Sequence, residues 1–252
     1  FLPRFNSISP LSGIISAMAP VEDISHSVTP ELNVDEDSVI LVIKINQKNR
    51  LAGSIFSEVT ESKYTETPDI DDVKLFKSLF NHIQKLIKDS KILAMHDISD
   101  GGLVTALAEM CFTKKVGMSI QVDDIDNLNK TLFSEEIGFV IQVKSDDLDM
   151  VKSSLNTINI YVEEVATIVE ESFSILCKEK EVFSESITVL EKHWRETSHA
   201  IQSIRDNKKI ADSELNLLNK APLNKEIALS PDLFKLIETA TRINYQSSGV
   251  YD

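Results

Sequence analysis

The residues best suited to chemistry lie in one short stretch, His96-Asp97-Ile98-Ser99-Asp100-Gly101-Gly102. Asp97 offers hard carboxylate oxygens of the kind Mg²⁺ prefers. Ser99 can donate a hydroxyl hydrogen bond or cap a helix, and Asp100 can cap it instead. Gly101 and Gly102 lack a Cβ, so a phosphate can come close to the backbone there. Residues 92–95 read as a strand before this stretch. Leu103, Ala106, Leu107 and Met110 recur at helical spacing after it. A strand, a Gly-rich turn and a helix start aim free backbone N–H groups at an anion. A plain turn before a capped helix has the same residues and is the commoner case, so spacing alone leaves both readings open.

The other candidates are weaker. Phe133-Ser134-Glu135-Glu136 places two acids just before a strand at 138–143. Paired acids can face a ligand or metal, but they are more often solvated or cap a turn, and that is the reading adopted. His96 reads as a packed or hydrogen-bonded side chain. His26, His82, His193 and His199 have no ligand spacing, so no zinc site is expected. Cys111 and Cys177 form neither a CxxC pair nor a disulfide framework, and both read as buried residues. Trp194 lies on a helical stripe with Leu190, Thr197, Ile201 and Ile204, which reads as packing. No residue is assigned a catalytic role.

Several elements must position the stretch 96–102. Residues 14–21 read as a strand that stops at Pro20, and 29–37 as an acidic connector. Residues 39–45, VILVIKI, form a β-branched run expected to be buried on both faces. Pro68-Asp69 is expected to open a helix carrying Phe76, Leu79, Phe80, Ile83, Leu86 and Ile87, with acids at its start and lysines at its end. Strands are expected at 118–122, 139–143, 165–169, 173–177 and 182–183, a helix around Leu148, Val151 and Leu155, and a long helix over 188–206. This mix predicts an α+β fold, a mixed sheet with packed helices.

Composition narrows the function classes. The 252 residues suffice for one large domain, with 42% hydrophobic and 26% charged residues. A formal net charge of −14 argues against a nucleic-acid partner. It leaves room for a small phosphorylated ligand held by Mg²⁺ and backbone amides. Arg4 and the apolar stretch 11–19 mimic a signal peptide, but Ser12, Gly13 and Ser16 break the stretch. No run is long enough to span a bilayer, so no membrane partner is expected.

The motifs taken together and in order resemble a known family. HDISDGGL (96–103), TALAEMCF (105–112) and LFSEEIGFVIQV (132–143) are similar to the second synthetase half of the large single-chain phosphoribosylformylglycinamidine synthases. SPLSGIISAMAPVEDISHSVTP (9–30), VFSESITVLEKHW (182–194) and WRETSHAIQSIRDNKKIADSE (194–214) fit the same pattern. The resemblance covers about residues 9–214. Residues 219–252 do not match, and Ser134 stands where an asparagine is common.

The resemblance implies the C-terminal domain of the aminoimidazole ribonucleotide synthetase superfamily over residues 35–186. Residues 1–34 would end the preceding domain and its connector, and 187–252 would be a helical linker towards a glutaminase domain. The implied enzyme is a cytoplasmic ATP-dependent ligase of purine biosynthesis, of the glutamine amidotransferase type. It converts formylglycinamide ribonucleotide, ATP and glutamine to formylglycinamidine ribonucleotide. The site residues carry over to an auxiliary nucleotide site. Asp97 would bind Mg²⁺, Ser99 would touch the ATP or ADP, and Gly101 and Gly102 would shape the loop. The chain would act as a fragment, inactive alone, whose partners are the nucleotide, the small-molecule substrate, the first synthetase half and the glutaminase domain. Another ATP-using member of the superfamily, or a non-catalytic scaffold that kept the fold, are the alternatives.

Overall fold

The computed structural model describes residues 16, 18–21 and 23–196. Residues 21–193 form one compact unit. A second unit, residues 1–20 and 194–252, falls almost entirely outside the described residues.

The run VILVIKI forms β1 (Ser38–Lys44), and it is buried on both faces as expected. Ile40 and Val42 join one core cluster, while Leu41 and Ile43 join another. Successive side chains on a strand point to opposite faces, so such a run suits the middle of a covered sheet. β1 pairs antiparallel with β4 (Gly138–Lys144) on one side and β5 (Tyr161–Val169) on the other. The sheet is completed by β2 (Ala94–Asp97), β3 (Gly117–Val122), β6 (Ser172–Cys177) and β7 (Lys180–Ser186). The seven strands run in the order β2-β4-β1-β5-β3-β6-β7. Only β3 and β6 pair in parallel, so the sheet is mixed.

Helices cover both faces. α3 (Gly102–Phe112) packs Leu103, Ala106, Leu107 and Met110 into the cluster of Ile40, Val42, Ala94 and Val140. On the opposite face, α2 (Val73–Lys88) contributes Leu79, Ile83 and Leu86, and α5 (Leu148–Asn156) contributes Val151 and Leu155. These meet Leu41, Ile43, Ile141 and Val143. The fold is α+β, as the residue pattern predicts. Among the described residues, no helix is long and apolar enough to cross a membrane.

Three details differ from expectation. Residues 16 and 18–21 are not in a strand, and the rest of 14–21 lies outside the described residues. α2 starts at Val73 rather than near Pro68, because the Asp72 carboxylate accepts the N–H groups of Lys74 and Leu75. Two short helices, α1 (Ile55–Val59) and α4 (Leu128–Phe133), were not anticipated, since five or six residues are too few to show a period. Residues 187–196 are helical, and the remainder of the long helix expected over 188–206 lies outside the described residues.

One buried ion pair joins three segments of this frame. Glu136 is fully buried, and the Arg50 side chain is 8% exposed. Arg50 Nε donates to Glu136 Oε1 at 2.6 Å, and Nη2 donates to Oε2 at 2.7 Å. The Arg50 main-chain N–H donates to the same carboxylate at 3.1 Å. Arg50 Nη2 also reaches Asp71 Oδ2 at 3.0 Å and the Asp69 carbonyl at 3.1 Å. The loop after β1, the lead into α2 and the lead into β4 are thereby tied together.

Burial pushes the Glu136 carboxyl upward, but the hydrogen bonds and charge of Arg50 outweigh it and hold the group below the usual carboxylate range. A carboxyl lowered on folding stabilises the protein above its unfolded value. That contribution disappears as pH falls through the lower folded value.

Removing one partner leaves an uncompensated buried charge. Arg50→Ala or Glu136→Ala should each cost about 3–5 kcal/mol in urea unfolding. The double variant Arg50→Met/Glu136→Met, which removes both charges and keeps volume, should cost less than either single change. A double-variant loss equal to the sum of Arg50→Met and Glu136→Met measured singly would show that the pair is not coupled.

Candidate functional site

β2 is an edge strand, paired with β4 alone, and the stretch 96–102 leaves its C-terminal end. The Ile98 N–H donates to the Gly138 carbonyl at 3.0 Å, and the Ile98 side chain is buried. This anchor leaves the flanking residues Asp97, Ser99 and Asp100 exposed. The Asp97 carboxylate is 67% exposed. The Ser99 hydroxyl and the N–H groups of Ser99 and Asp100 have no hydrogen-bond partner among the described residues.

The two glycines have a different part. Both have positive φ, +84° at Gly101 and +74° at Gly102. A Cβ on Gly101 would lie 2.2 Å from Thr105 Oγ1, and one on Gly102 would lie 2.6 Å from the Phe133 carbonyl carbon. Their N–H groups are already used. Gly102 donates to the Ser99 carbonyl at 2.9 Å, and Gly101 donates to Glu135 Oε1 at 2.9 Å. They give the loop its turn and let α3 pack against the end of α4, while the free donors are Ser99 and Asp100.

Glu135 deserves its place in the site. Its Oε1 accepts from Gly101 and also from the Ile55 N–H, the first amide of α1, at 2.9 Å. One carboxylate oxygen therefore holds the loop and caps a helix start, where negative charge is favourable. The rings of Phe56 and Phe133 stack beside it, with centroids 4.7 Å apart. The expectation that this pair is solvated or caps a turn fails for Glu136, while Glu135 does accept a turn amide and a helix-start amide. Glu136 is fully buried on Arg50, and Glu135 is half-buried on two main-chain amides. The reason is tertiary, because every donor comes from segments at least 34 residues away.

The remaining candidates fall out as follows. His96 Nε2 lies 2.9 Å from Glu109 Oε2, and Nδ1 lies 2.7 Å from the Asp97 carbonyl, so the ring is held by hydrogen bonds. Cys111 and Cys177 are buried free thiols, and burial pushes the Cys111 thiol up to about 12, which leaves it unreactive. Trp194 is half exposed. Ser134 is fully buried, and its hydroxyl has no hydrogen-bond partner among the described residues. No group of three or more His, Cys, Asp and Glu side chains able to hold a metal occurs among the described residues. Asp97 offers an exposed carboxylate, with its Oδ1 3.5 Å from His96 Nδ1. Such a carboxylate suits Mg²⁺ carried on a nucleotide, since this ion keeps several waters and uses one or two carboxylates plus phosphate oxygens.

Sequence reasoning passed over Arg50 and Lys44. Lys44 did carry a signal, as the one charge inside VILVIKI. Arg50 carried none, because its loop has no period.

If Glu135 holds the loop, Glu135→Ala should speed amide hydrogen exchange at Gly101 and Ile55 together. A hydrogen bond to a charged group is worth about 1.5–3 kcal/mol, so the increase should be about tenfold to a hundredfold. Glu135→Gln keeps one carbonyl acceptor and should show a smaller effect. Unchanged exchange at both amides would show that the loop is held by other contacts.

Comparison with known proteins identifies the family and the fold. Residues 35–178 match the family described as AIR synthase related protein, C-terminal domain. Among solved structures, the chain is similar to Thermotoga maritima PurL complexed with ATP, at 15% identity and a TM-score of 0.52 over 66% of this chain. It is also similar to that protein complexed with FGAR, at 15% identity and a TM-score of 0.56 over 66% of this chain. A third likeness is to phosphoribosylformylglycinamidine synthase II from Thermotoga maritima, at 13% identity and a TM-score of 0.52 over 66% of this chain. The matched region spans 27%, 30% and 28% of those chains. At such identity the likeness concerns the fold, while the family match covers more than half of the chain. The chain belongs to the AIR synthase related proteins and carries their C-terminal domain.

Proposed function

We propose that this chain supplies the auxiliary nucleotide half-site of a phosphoribosylformylglycinamidine synthase, a glutamine-dependent, ATP-using ligase of purine biosynthesis. The observation that carries the reading is the rigidly held edge-strand loop. It presents one exposed carboxylate, Asp97, beside unpartnered donors at Ser99 and Asp100. Family membership supports it, as do the Thermotoga maritima PurL structures, described as complexed with ATP, ADP and FGAR.

In this reading Asp97 takes one position on a nucleotide-bound Mg²⁺, and the Ser99 hydroxyl and amide donate to phosphate oxygens. Mg²⁺ would supply charge neutralisation that an acidic chain cannot supply by itself. Gly101, Gly102 and Glu135 keep the loop in shape. Asp97 supplies one carboxylate, and the remaining positions are filled by phosphate oxygens, water and other segments of a larger assembly. The partners are the rest of the synthase, including its first synthetase half and a glutaminase domain, in the cytoplasm. Residues 1–34 end a preceding domain, 35–186 form the domain described, and 187–252 lead onward. In this reading none of the described residues is catalytic. Activation of the amide by phosphoryl transfer and its displacement by ammonia occur at another site.

A nucleotide bound only by the native state stabilises it. In the whole protein, Asp97→Ala should lower co-purifying nucleotide by more than about tenfold and reduce the thermal midpoint by several degrees. Turnover of the protein that remains folded should fall far less. Unchanged nucleotide content would sink the proposal. A loss of turnover at full nucleotide occupancy would move Asp97 into the catalytic site instead.

A further inference from the structure

Lys44 closes β1 at the end of an otherwise apolar run, and it is 3% exposed. An ammonium has three N–H donors. Among the described residues its one hydrogen-bond partner is Asn49 Oδ1, at 3.2 Å. Burial draws the Lys44 ammonium below the ordinary lysine range, and the charges of Glu136 and Glu163 draw it back up. Glu136 is already engaged with Arg50, and Glu163 accepts the Tyr161 hydroxyl. Two carboxylate charges lie near this ammonium, yet two of its three N–H donors lack an acceptor among the described residues.

Lys44 lines a cleft of about 210 Å³. That is below the roughly 300–1,000 Å³ of pockets for drug-sized ligands, so the cleft suits a small one. Its lining includes the apolar Val42, Leu103 and Val165 and the acids Asp123, Asp124 and Glu163, of which Asp124 already accepts the Asp126 and Asn127 amides. Register explains the arrangement. Lys44 pairs with Tyr161 and Val42 with Glu163 across β1 and β5, while Asp123 and Asp124 follow directly on β3, which also pairs with β5.

The charges decide the chemical class. A simple anion drawn to Lys44 would meet three carboxylates. A simple cation drawn to the carboxylates would meet Lys44. A small zwitterion answers both, with its negative end on the ammonium and its positive end towards the acids.

We propose that this cleft binds a free α-amino acid with a small side chain. Its carboxylate sits on Lys44, its ammonium faces Glu163 and Asp123, and its side chain lies against Val42, Leu103 and Val165. The cleft is distinct from the loop 96–102, so this inference stands apart from the nucleotide reading.

The test titrates the 252-residue chain with glycine, L-alanine and L-serine, with acetate and methylamine as single-charge controls, followed by protein NMR shifts around the cleft. The amino acids should give saturable shifts at Tyr161 and Val165, and each control should bind at least tenfold more weakly. Lys44→Met should abolish the shifts while raising the urea midpoint, since it removes a buried charge. A purely structural lysine would not link those two effects. Glu163→Gln keeps Lys44 and should weaken the amino acids more than acetate. The proposal is overturned by silence with all three amino acids at millimolar concentration. It is equally overturned by acetate binding as tightly as they do, or by shifts that survive Lys44→Met.

Discussion

The pairing of Arg50 with Glu136 is the constraint on which the surrounding architecture rests. Both groups are out of water, so each depends on the other for the solvation it has lost. The guanidinium fork matches the carboxylate with two parallel hydrogen bonds, a geometry that a lysine cannot reproduce. Its remaining reach goes to Asp71 and the Asp69 carbonyl. A long loop after β1 is thereby pinned to the lead into β4 and to the lead into α2. The adjacent Glu135 serves another set of groups. Burial alternates along 131–140, so one acid turns into the core and its neighbour turns to the amides of Gly101 and Ile55. Two consecutive carboxylates thus connect the interior to the loop that leaves β2.

That loop illustrates how a rigid scaffold presents a few polar groups. Ile98 is bonded to β4 and buried, and Gly102 sits so close to the α4 backbone that no side chain would fit. Around these two fixed points, Asp97, Ser99 and Asp100 stay exposed. The chain carries a net charge of −14, and several of its cations already sit in ion pairs. A phosphate brought here would be met by neutral donors and an exposed carboxylate rather than by a basic patch.

Much of the fold was legible in the residues. VILVIKI had to be a strand covered on both sides, because a continuous β-branched run is stable only where both faces are dry. The stripes of Leu79, Ile83 and Leu86 and of Leu103, Leu107 and Met110 had to be helix faces, since they follow a 3.6-residue period. The strand-turn-helix around 96–102 was equally visible. Helix starts were less so. Both Asp69 and Asp72 suit an N-cap, and Asp72 caps α2 because its carboxylate reaches Lys74 and Leu75 while Asp69 bonds the Ile70 amide.

The sequence by itself determined the class of fold, the central strand, the helix faces and the loop with its Asp97, Ser99, Gly101 and Gly102, because these are written in local spacing. Tertiary structure alone decided what Glu135 and Glu136 do, why Gly101 and Gly102 must be glycine, and that Lys44 is a buried cation beside a cleft. In each case the partner lies outside the local window. Arg50 and Glu136 are 86 residues apart, Glu135 and Ile55 are 80 apart, and Lys44 meets Tyr161 only through strand pairing. Local pattern records how a residue sits on its own element, whereas the energy of a buried charge depends on which distant groups the fold brings to it.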